Sequence, residues 1–159
     1  MKVNTTRFGT IEVDDGAVIT FTQPILGFQE YRRFVLLPGP ENSALKWLQS
    51  TESGELAFIV MNPHTVVADY EVRIGTQEMA ELAADTLEEL EVYTLVVVPQ
   101  DRTQVRTNLK APILINPRQR LGKQTILDRS KYPIQFFLSQ AQGGDREDAQ
   151  EVKHARSNA

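Results

Sequence analysis

The chain has 159 residues, no cysteine and a formal net charge of −4 at pH 7. A chain of this length buries enough surface to fold as one domain without a disulfide or a metal ion. The lack of cysteine excludes thiol catalysis, disulfides and cysteine-ligated zinc, and it is typical of the reducing cytoplasm. No apolar run is long enough for a signal peptide or a membrane span, so we expect a cytoplasmic protein.

Charge is distributed unevenly along the chain. Residues 1–100 carry 15 acidic and 6 basic side chains, whereas residues 101–159 carry 6 acidic and 11 basic ones. The acidic part favours a basic protein partner, and the basic stretch favours a smaller acidic surface. The alternative is that these charges only keep the surface soluble.

Short β-type segments separated by turn residues dominate the chain. This order is typical of a β-sandwich or a β-barrel. Asp15-Gly16 predicts a tight hairpin turn, so we expect the first three strands to form an antiparallel meander. The predicted strands are 3–7, 10–14, 17–22, 34–37, 45–49, 56–61, 66–74, 92–98, 104–109, 112–116 and 121–127.

One stretch has apolar residues at helical spacing, and it predicts two short helices at 76–84 and 86–90. Thr76 is the expected cap of the first helix. A capping box that begins at Asp85 and ends at Glu88 is expected to start the second helix.

The fold class follows from these elements. Segment 92–98 is apolar at nearly every position, which predicts a central strand and the most buried part of the protein. Gly122 marks a turn or a bulge near the end of the barrel. We predict a mostly β, compact antiparallel β-barrel-like single domain with two short helices over residues 1–140. A disordered polar tail is predicted over residues 141–159, because that segment lacks the apolar surface that offsets the entropy of ordering.

The loop at residues 23–28 interrupts the strand pattern. Pro24 cannot donate a hydrogen bond to a β-ladder, and Gly27 permits a positive φ. The loop therefore presents Leu26 and Phe28 either as an anchor for a partner or, for Phe28, as a plug folded under the loop.

Residue patterns for catalysis or cofactor binding are missing from the sequence. His64 and His154 are isolated from other ligand-type residues, and no serine lies in a nucleophile elbow. The glycines do not form a phosphate-binding loop. The acidic run Glu88-Glu89-Glu91 is typical of a solvated helical face. We therefore predict no enzymatic activity and no cofactor.

Direct RNA binding is an alternative hypothesis. It rests on a basic series in the closing strands, because some β-barrels bind oligonucleotides on such faces. Residues 94–131 contain no Phe, Tyr or Trp that could stack on bases, which argues against it. The basic residues concerned are Arg118, Arg120, Lys123, Arg129 and Lys131.

Six segments follow one another as landmarks along residues 1–138: Ile25-Leu26-Gly27-Phe28-Gln29-Glu30, Phe34-Val35-Leu36-Leu37, Leu48-Gln49-Ser50, Phe58-Ile59-Val60-Met61-Asn62-Pro63, Asn108-Leu109-Lys110-Ala111-Pro112-Ile113-Leu114-Ile115-Asn116 and Lys123-Gln124-Thr125-Ile126-Leu127. In this order they resemble the FliW family of flagellar assembly factors. The resemblance implies a barrel-like protein, expected to be a monomer, that binds flagellin and the translational regulator CsrA. In this scheme, sequestering CsrA relieves repression of flagellin translation, and new flagellin displaces CsrA.

Two surfaces are candidates for these partners. Acidic side chains are expected to meet the basic CsrA, and the loop is expected to anchor an amphipathic helix of flagellin. Glu12 and Asp14 belong to the same acidic excess. The candidate partner-binding residues are Leu26, Gly27, Phe28, Asp69, Glu71, Glu88, Glu89 and Glu91.

Overall fold

A computed structural model describes residues 1–40 and 43–140. Short strands dominate it, together with one short α-helix, α1 (Thr76–Glu81), and several single 3₁₀ turns. The strands of this part of the chain are β1 (Lys2–Thr5), β2 (Gly9–Glu12), β3 (Ile19–Phe21), β4 (Arg33–Pro38), β5 (Leu45–Ser50), β6 (Ala57–Met61), β7 (Glu91–Val97), β8 (Arg106–Thr107), β9 (Ile113–Asn116), β10 (Leu121–Gln124) and β11 (Phe136–Phe137).

Seven of these strands close into a barrel. The hydrogen-bonded order is β7-β6-β5-β4-β3-β10-β9, and β9 pairs again with β7. One edge of β7 pairs with two strands. Glu91–Tyr93 pairs with β9, and Val96 and Val97 pair with β8. The predicted barrel-like, mostly β class is confirmed.

One pair in the barrel is parallel, whereas the others are antiparallel. β10 runs parallel to β3, with Gly122 opposite Phe21. A Cβ at Gly122 would lie 2.8 Å from the Phe21 ring and 3.1 Å from Ile19. Gly122 therefore permits the close approach that closes the barrel, and it is not a bulge in this ladder.

The barrel interior is a single apolar cluster. Strand β9 shows how the faces divide: Ile113 and Ile115 point into this cluster, while Leu114 packs against a second cluster outside the barrel. All four residues of β9 are buried as a result. The prediction that 92–98 is the most buried segment is wrong, because Val97 is 47% exposed. The buried members of the interior cluster are Ile19, Phe21, Ile25, Phe34, Leu48, Val60, Tyr93, Ile113 and Ile115.

The outer face of the barrel is covered by two further layers. The β1–β2 hairpin packs Val3 against Val35 of β4. The segment between β6 and β7, including Tyr70, Val72 and Leu82, packs over Leu114. This second layer positions the candidate site described below.

The predicted hairpin turn at Asp15-Gly16, the predicted meander and the predicted strand at 66–74 are wrong. Asp15-Gly16 lies in a 3₁₀ turn rather than a hairpin turn, because the Asp14 carboxylate accepts the Gly16 N–H at 2.9 Å. β2 and β3 then enter different sheets, so the first three strands are not a meander. Segment 66–74 has no ladder partner, and it begins with turns, in which the Tyr70 N–H donates to the Val67 carbonyl at 3.0 Å. Strands predicted at 104–109 and 121–127 are shorter, as β8 and β10.

The helix boundaries also differ from the prediction. Gly75, not Thr76, is the N-cap of α1. The second predicted helix is a single 3₁₀ turn at Leu87–Glu89, and its capping carboxylate belongs to Glu89 rather than Glu88. The predicted tail at 141–159 lies outside the described residues.

Candidate functional site

The predicted anchor loop is a tight turn with Leu26 at its tip. The Phe28 N–H donates to the Ile25 carbonyl at 2.8 Å, and Gly27 has φ +87°, as the third position of a type II turn requires. Ile25 is buried at 1% exposure, whereas Leu26 is 62% exposed. The turn therefore leaves the large apolar side chain of Leu26 exposed to solvent.

Phe28 behaves as the plug rather than the anchor. Its ring lies edge-on to the Phe58 ring, with centroids 4.9 Å apart, and it packs on the interior cluster. Burial of this ring offsets part of the cost of exposing Leu26 two residues earlier.

The loop is tied to β10 by one side chain. The Leu26 N–H donates to Gln124 Oε1 at 3.0 Å, and Gln124 Nε2 donates to the Ala111 carbonyl at 3.1 Å. Gln124 thus bridges the loop and the barrel wall, which fixes the position of Leu26.

Two adjoining cavities lie beside this loop, and we call them together the Ile126 groove. The larger has a volume of about 830 Å³ and the smaller about 440 Å³. Gly75, Ile126 and Asp128 line both. Ile126 is 48% exposed, although Thr125 and Leu127 beside it are buried. The groove therefore runs from Leu26 past Ile126 toward Tyr132.

An ion cluster forms the floor at the Leu26 end. Lys123 Nζ lies 3.0 Å from Glu81 Oε2 and 3.5 Å from Glu78 Oε2. The Thr125 hydroxyl donates to Glu78. Because Lys123 is only 7% exposed, its charge needs these carboxylates. The cluster joins α1 to β10.

The opposite end of the groove is held by two tyrosines. The rings of Tyr70 and Tyr132 lie 4.6 Å apart, and the Tyr132 oxygen accepts the Glu71 N–H at 2.9 Å. The Tyr70 hydroxyl donates to the Leu109 carbonyl at 2.6 Å. Burial raises the pKa of Tyr70 well above its usual value, so it stays a neutral donor.

Charge changes sign along the groove. At the Leu26 end the lining holds Glu78, Glu81 and the buried Lys123. At the Tyr132 end Glu71 is paired with Arg73 at 3.0 Å, and the exposed Arg129 and Lys131 outnumber Asp128, which lines both cavities. Exposed apolar side chains between ends of unlike charge can hold a partner by shape and orient it by charge.

Comparison with known proteins decides the family. The family model described as FliW protein matches residues 2–138, which include every strand of the barrel. The chain belongs to the FliW family. This is a family of flagellar assembly factors and not of enzymes.

Individual relatives agree with this assignment. The flagellar assembly factor FliW of Natranaerobius thermophilus is 37% identical over 144 residues, which cover 90% of this chain and 95% of that protein. The protein of the same name from Magnetococcus marinus is 38% identical over 127 residues, covering 79% and 78%. A crystal structure of the flagellar assembly factor FliW superposes with a TM-score of 0.80 at 30% identity, covering 86% of this chain and 96% of that one.

The acidic residues proposed as partner contacts lie in different environments in the structure. Glu71 lines the groove, but its charge is paired with Arg73. Glu89 accepts the N–H groups of Thr86 and Asp85, and these bonds lower the pKa of its carboxyl.

The remaining acids differ in whether they have a partner. Glu91 accepts the Tyr93 hydroxyl at 3.2 Å. Asp69 and Glu88 are exposed and make no hydrogen bond or ion pair within residues 1–40 and 43–140. No hydrogen bond or groove joins Asp69 to Glu88, so the described contacts do not bring the acids together as one patch.

The basic series proposed for RNA is also divided. Lys123 is buried and neutralised, and Arg120 donates to the Asp15 carbonyl at 3.4 Å. Arg129 and Lys131 line the groove, whereas Arg118 is exposed beyond β9. These cations do not form one continuous face with stacking aromatics.

The side chains of Asn108 and Asn116 hold the backbone around them. Asn116 is 2% exposed, its Nδ2 donates to the Leu82 carbonyl at 2.8 Å, and its Oδ1 accepts the N–H groups of Arg118 and Gln119. Asn108 Oδ1 accepts two backbone N–H groups in the same way.

Sequence reasoning missed the principal residue of the groove, Ile126. It lies just beyond β10, between the buried Thr125 and Leu127, and the sequence predicts it as part of a strand at 121–127. The signal was present in Ile126-Leu127: two adjacent apolar residues on a half-covered strand cannot both face the core. Within the described residues no cluster of three His, Asp or Glu side chains suits a metal ion, and no helix is long and apolar enough to span a membrane.

Proposed function

We propose that this chain binds flagellin and CsrA in turn, as a cytoplasmic monomer. In this proposal it sequesters CsrA while flagellin is scarce, which relieves repression of flagellin translation. Newly made flagellin then displaces CsrA, and repression returns. Export of flagellin frees the protein for the next cycle, so the level of unassembled flagellin is held steady.

The observation that carries the proposal is the exposure of Leu26 and Ile126 along one groove in a member of the FliW family. Side chains that are 62% and 48% exposed contribute little to the core, and large apolar groups arranged around a groove are typical of a protein-binding site. An amphipathic helix of flagellin offers the matching apolar face.

CsrA requires a different surface, because it is a basic RNA-binding protein. Exposed acids without an internal partner, such as Asp69 and Glu88, remain free to meet it. The charge of these groups favours fast association with a basic partner more than high affinity.

Calorimetry combined with size-exclusion chromatography tests the proposal. The purified protein is titrated separately with flagellin and with CsrA from the same organism. A complex with each partner is expected. Binding to neither partner would contradict the proposal, and salt-dependent binding of the protein alone to a flagellin leader RNA would favour the RNA-binding hypothesis instead.

A further inference from the structure

Hydrogen bonds and ion pairs hold the walls of the Ile126 groove in place. Gln124 holds the Leu26 backbone, and the Lys123 cluster joins α1 to β10 beneath the groove. Tyr132 fixes the other end through the Glu71 N–H. Since the walls are fixed by these bonds, a partner that fits the groove loses little affinity to rearrangement of the protein.

Exposure along the groove is selective. Ile126 is 48% exposed between Thr125 at 4% and Leu127 at 6%. Leu26 is 62% exposed beside Ile25 at 1%. The two exposed side chains belong to distant parts of the sequence, and the smaller cavity, about 440 Å³, is lined by both. Together they offer an apolar strip to an incoming side-chain face.

The ends of the groove differ in charge. Glu78 and Glu81 lie at the Leu26 end, where their one cation, Lys123, is buried beneath them. Arg129 and Lys131 lie at the other end and are exposed, and they outnumber Asp128, the exposed carboxylate that lines both cavities. A bound α-helix carries partial positive charge at its N-terminus and partial negative charge at its C-terminus, so it fits this groove in one direction.

We propose that the Ile126 groove is the flagellin-binding site and that it takes one amphipathic helix of flagellin in a fixed direction. The apolar face of the helix lies on Leu26 and Ile126. Its N-terminal end lies beside Glu78 and Glu81. Its C-terminal end lies beside Arg129 and Lys131. CsrA contacts exposed acids beside the groove, such as Asp69, two residues from the groove-lining Glu71, so a bound flagellin helix and CsrA exclude each other. This assignment rests on the proposed function, which names the partner but no surface.

The first test replaces the apolar strip. Leu26→Asp and Ile126→Asp are expected to weaken flagellin binding by more than about tenfold in calorimetry, because each puts a charge in an apolar contact. Ile134→Asp is the matched control: Ile134 is 63% exposed and does not line the groove. The control should bind flagellin like the wild type, and all three variants should keep their affinity for CsrA.

The second test determines the direction of the bound flagellin helix. Because the chain has no cysteine, single variants Gln77→Cys and Lys131→Cys can each carry one photo-crosslinker. Gln77 lines the acidic end and Lys131 the basic end. Cross-links from position 77 should map nearer the N-terminus of a single flagellin helix than cross-links from position 131.

The outcomes separate the site from the function. If the wild type binds flagellin but both Asp variants bind it equally well, the groove assignment is overturned and the proposed function stands. If the cross-links map in the opposite order, the charge-set direction is overturned. If the wild type does not bind flagellin, the site and the proposed function both fail.

Discussion

The ring of Phe28 meets the ring of Phe58 edge-on, with centroids 4.9 Å apart. This contact explains how one short loop buries an aromatic group and exposes Leu26 only two residues away. The type II turn between Ile25 and Phe28 gives the two side chains opposite directions. Phe28 therefore stabilises the loop, whereas Leu26, two residues away, is the proposed partner contact.

Replacement of Phe28 should show this division. We expect Phe28→Ala to lower the free energy of unfolding by about 2 kcal/mol, because it removes a ring that is packed on the barrel interior. Leu26→Ala should change it by less than about 0.5 kcal/mol, since Leu26 is 62% exposed. Urea denaturation of both variants measures the difference. Equal effects would contradict the division of roles.

Closure of the barrel should depend on Gly122. A methyl group there would overlap the Phe21 ring, so Gly122→Ala is expected to cost about 1–3 kcal/mol of stability. Gly75→Ser is the control, because a Cβ at Gly75 meets nothing within 4 Å and serine suits an N-cap. Thermal unfolding of the two variants gives the comparison. A Gly122→Ala protein as stable as the wild type would show that the β3–β10 pair can separate without cost.

Lys123 should be needed for stability rather than for binding nucleic acid. Lys123→Ala leaves two carboxylates without their cation, and breaking such a buried pair costs about 3 kcal/mol. Lys131→Ala removes an exposed cation and should have little effect on unfolding. Chemical denaturation compares the two variants. Similar stabilities would mean that Lys123 is not held by Glu78 and Glu81 in solution.

The capping carboxylate of Glu89 should make stability depend on pH. The N–H groups of Thr86 and Asp85 lower the pKa of Glu89 in the folded protein, so its ionised form stabilises the fold. This contribution is complete above the ordinary pKa of about 4.5 and is lost as the pH falls through the lowered value. Glu89→Gln should therefore be less stable than the wild type at pH 7.

The stability difference for Glu89→Gln should shrink in acid, as measured by urea denaturation between pH 7 and pH 3. Glu88→Gln is the control, because this neighbouring carboxylate has no hydrogen bond within the described residues. A difference for Glu89→Gln that stays constant across this pH range would refute the capping role.

Local patterns predicted the barrel class well. In residues 70–74 covered and exposed side chains alternate as in a strand, since Tyr70 and Val72 are buried while Glu71 and Arg73 are exposed. The segment is nevertheless not a strand, because alternation reports the two faces of a chain and not whether a neighbouring strand pairs with it.

Contacts between residues far apart in the sequence could not be predicted from local sequence patterns. The parallel β3–β10 pair joins residues 101 positions apart, and no local signal specifies it. The sequence places Lys123 in a basic series, and no residue near it in the chain indicates that it is buried, because a buried lysine needs a partner. Its partners, Glu78 and Glu81, lie more than forty positions earlier and meet it only once α1 packs on β10.

The central claim is the partner switch, and a displacement assay tests it most directly. A complex of this protein with fluorescently labelled CsrA is titrated with flagellin, and the anisotropy of the label is followed. The account predicts that flagellin releases CsrA, and that the released CsrA binds a flagellin leader RNA added to the same sample. CsrA that stays bound at saturating flagellin, in a protein that binds both partners separately, would contradict the switch.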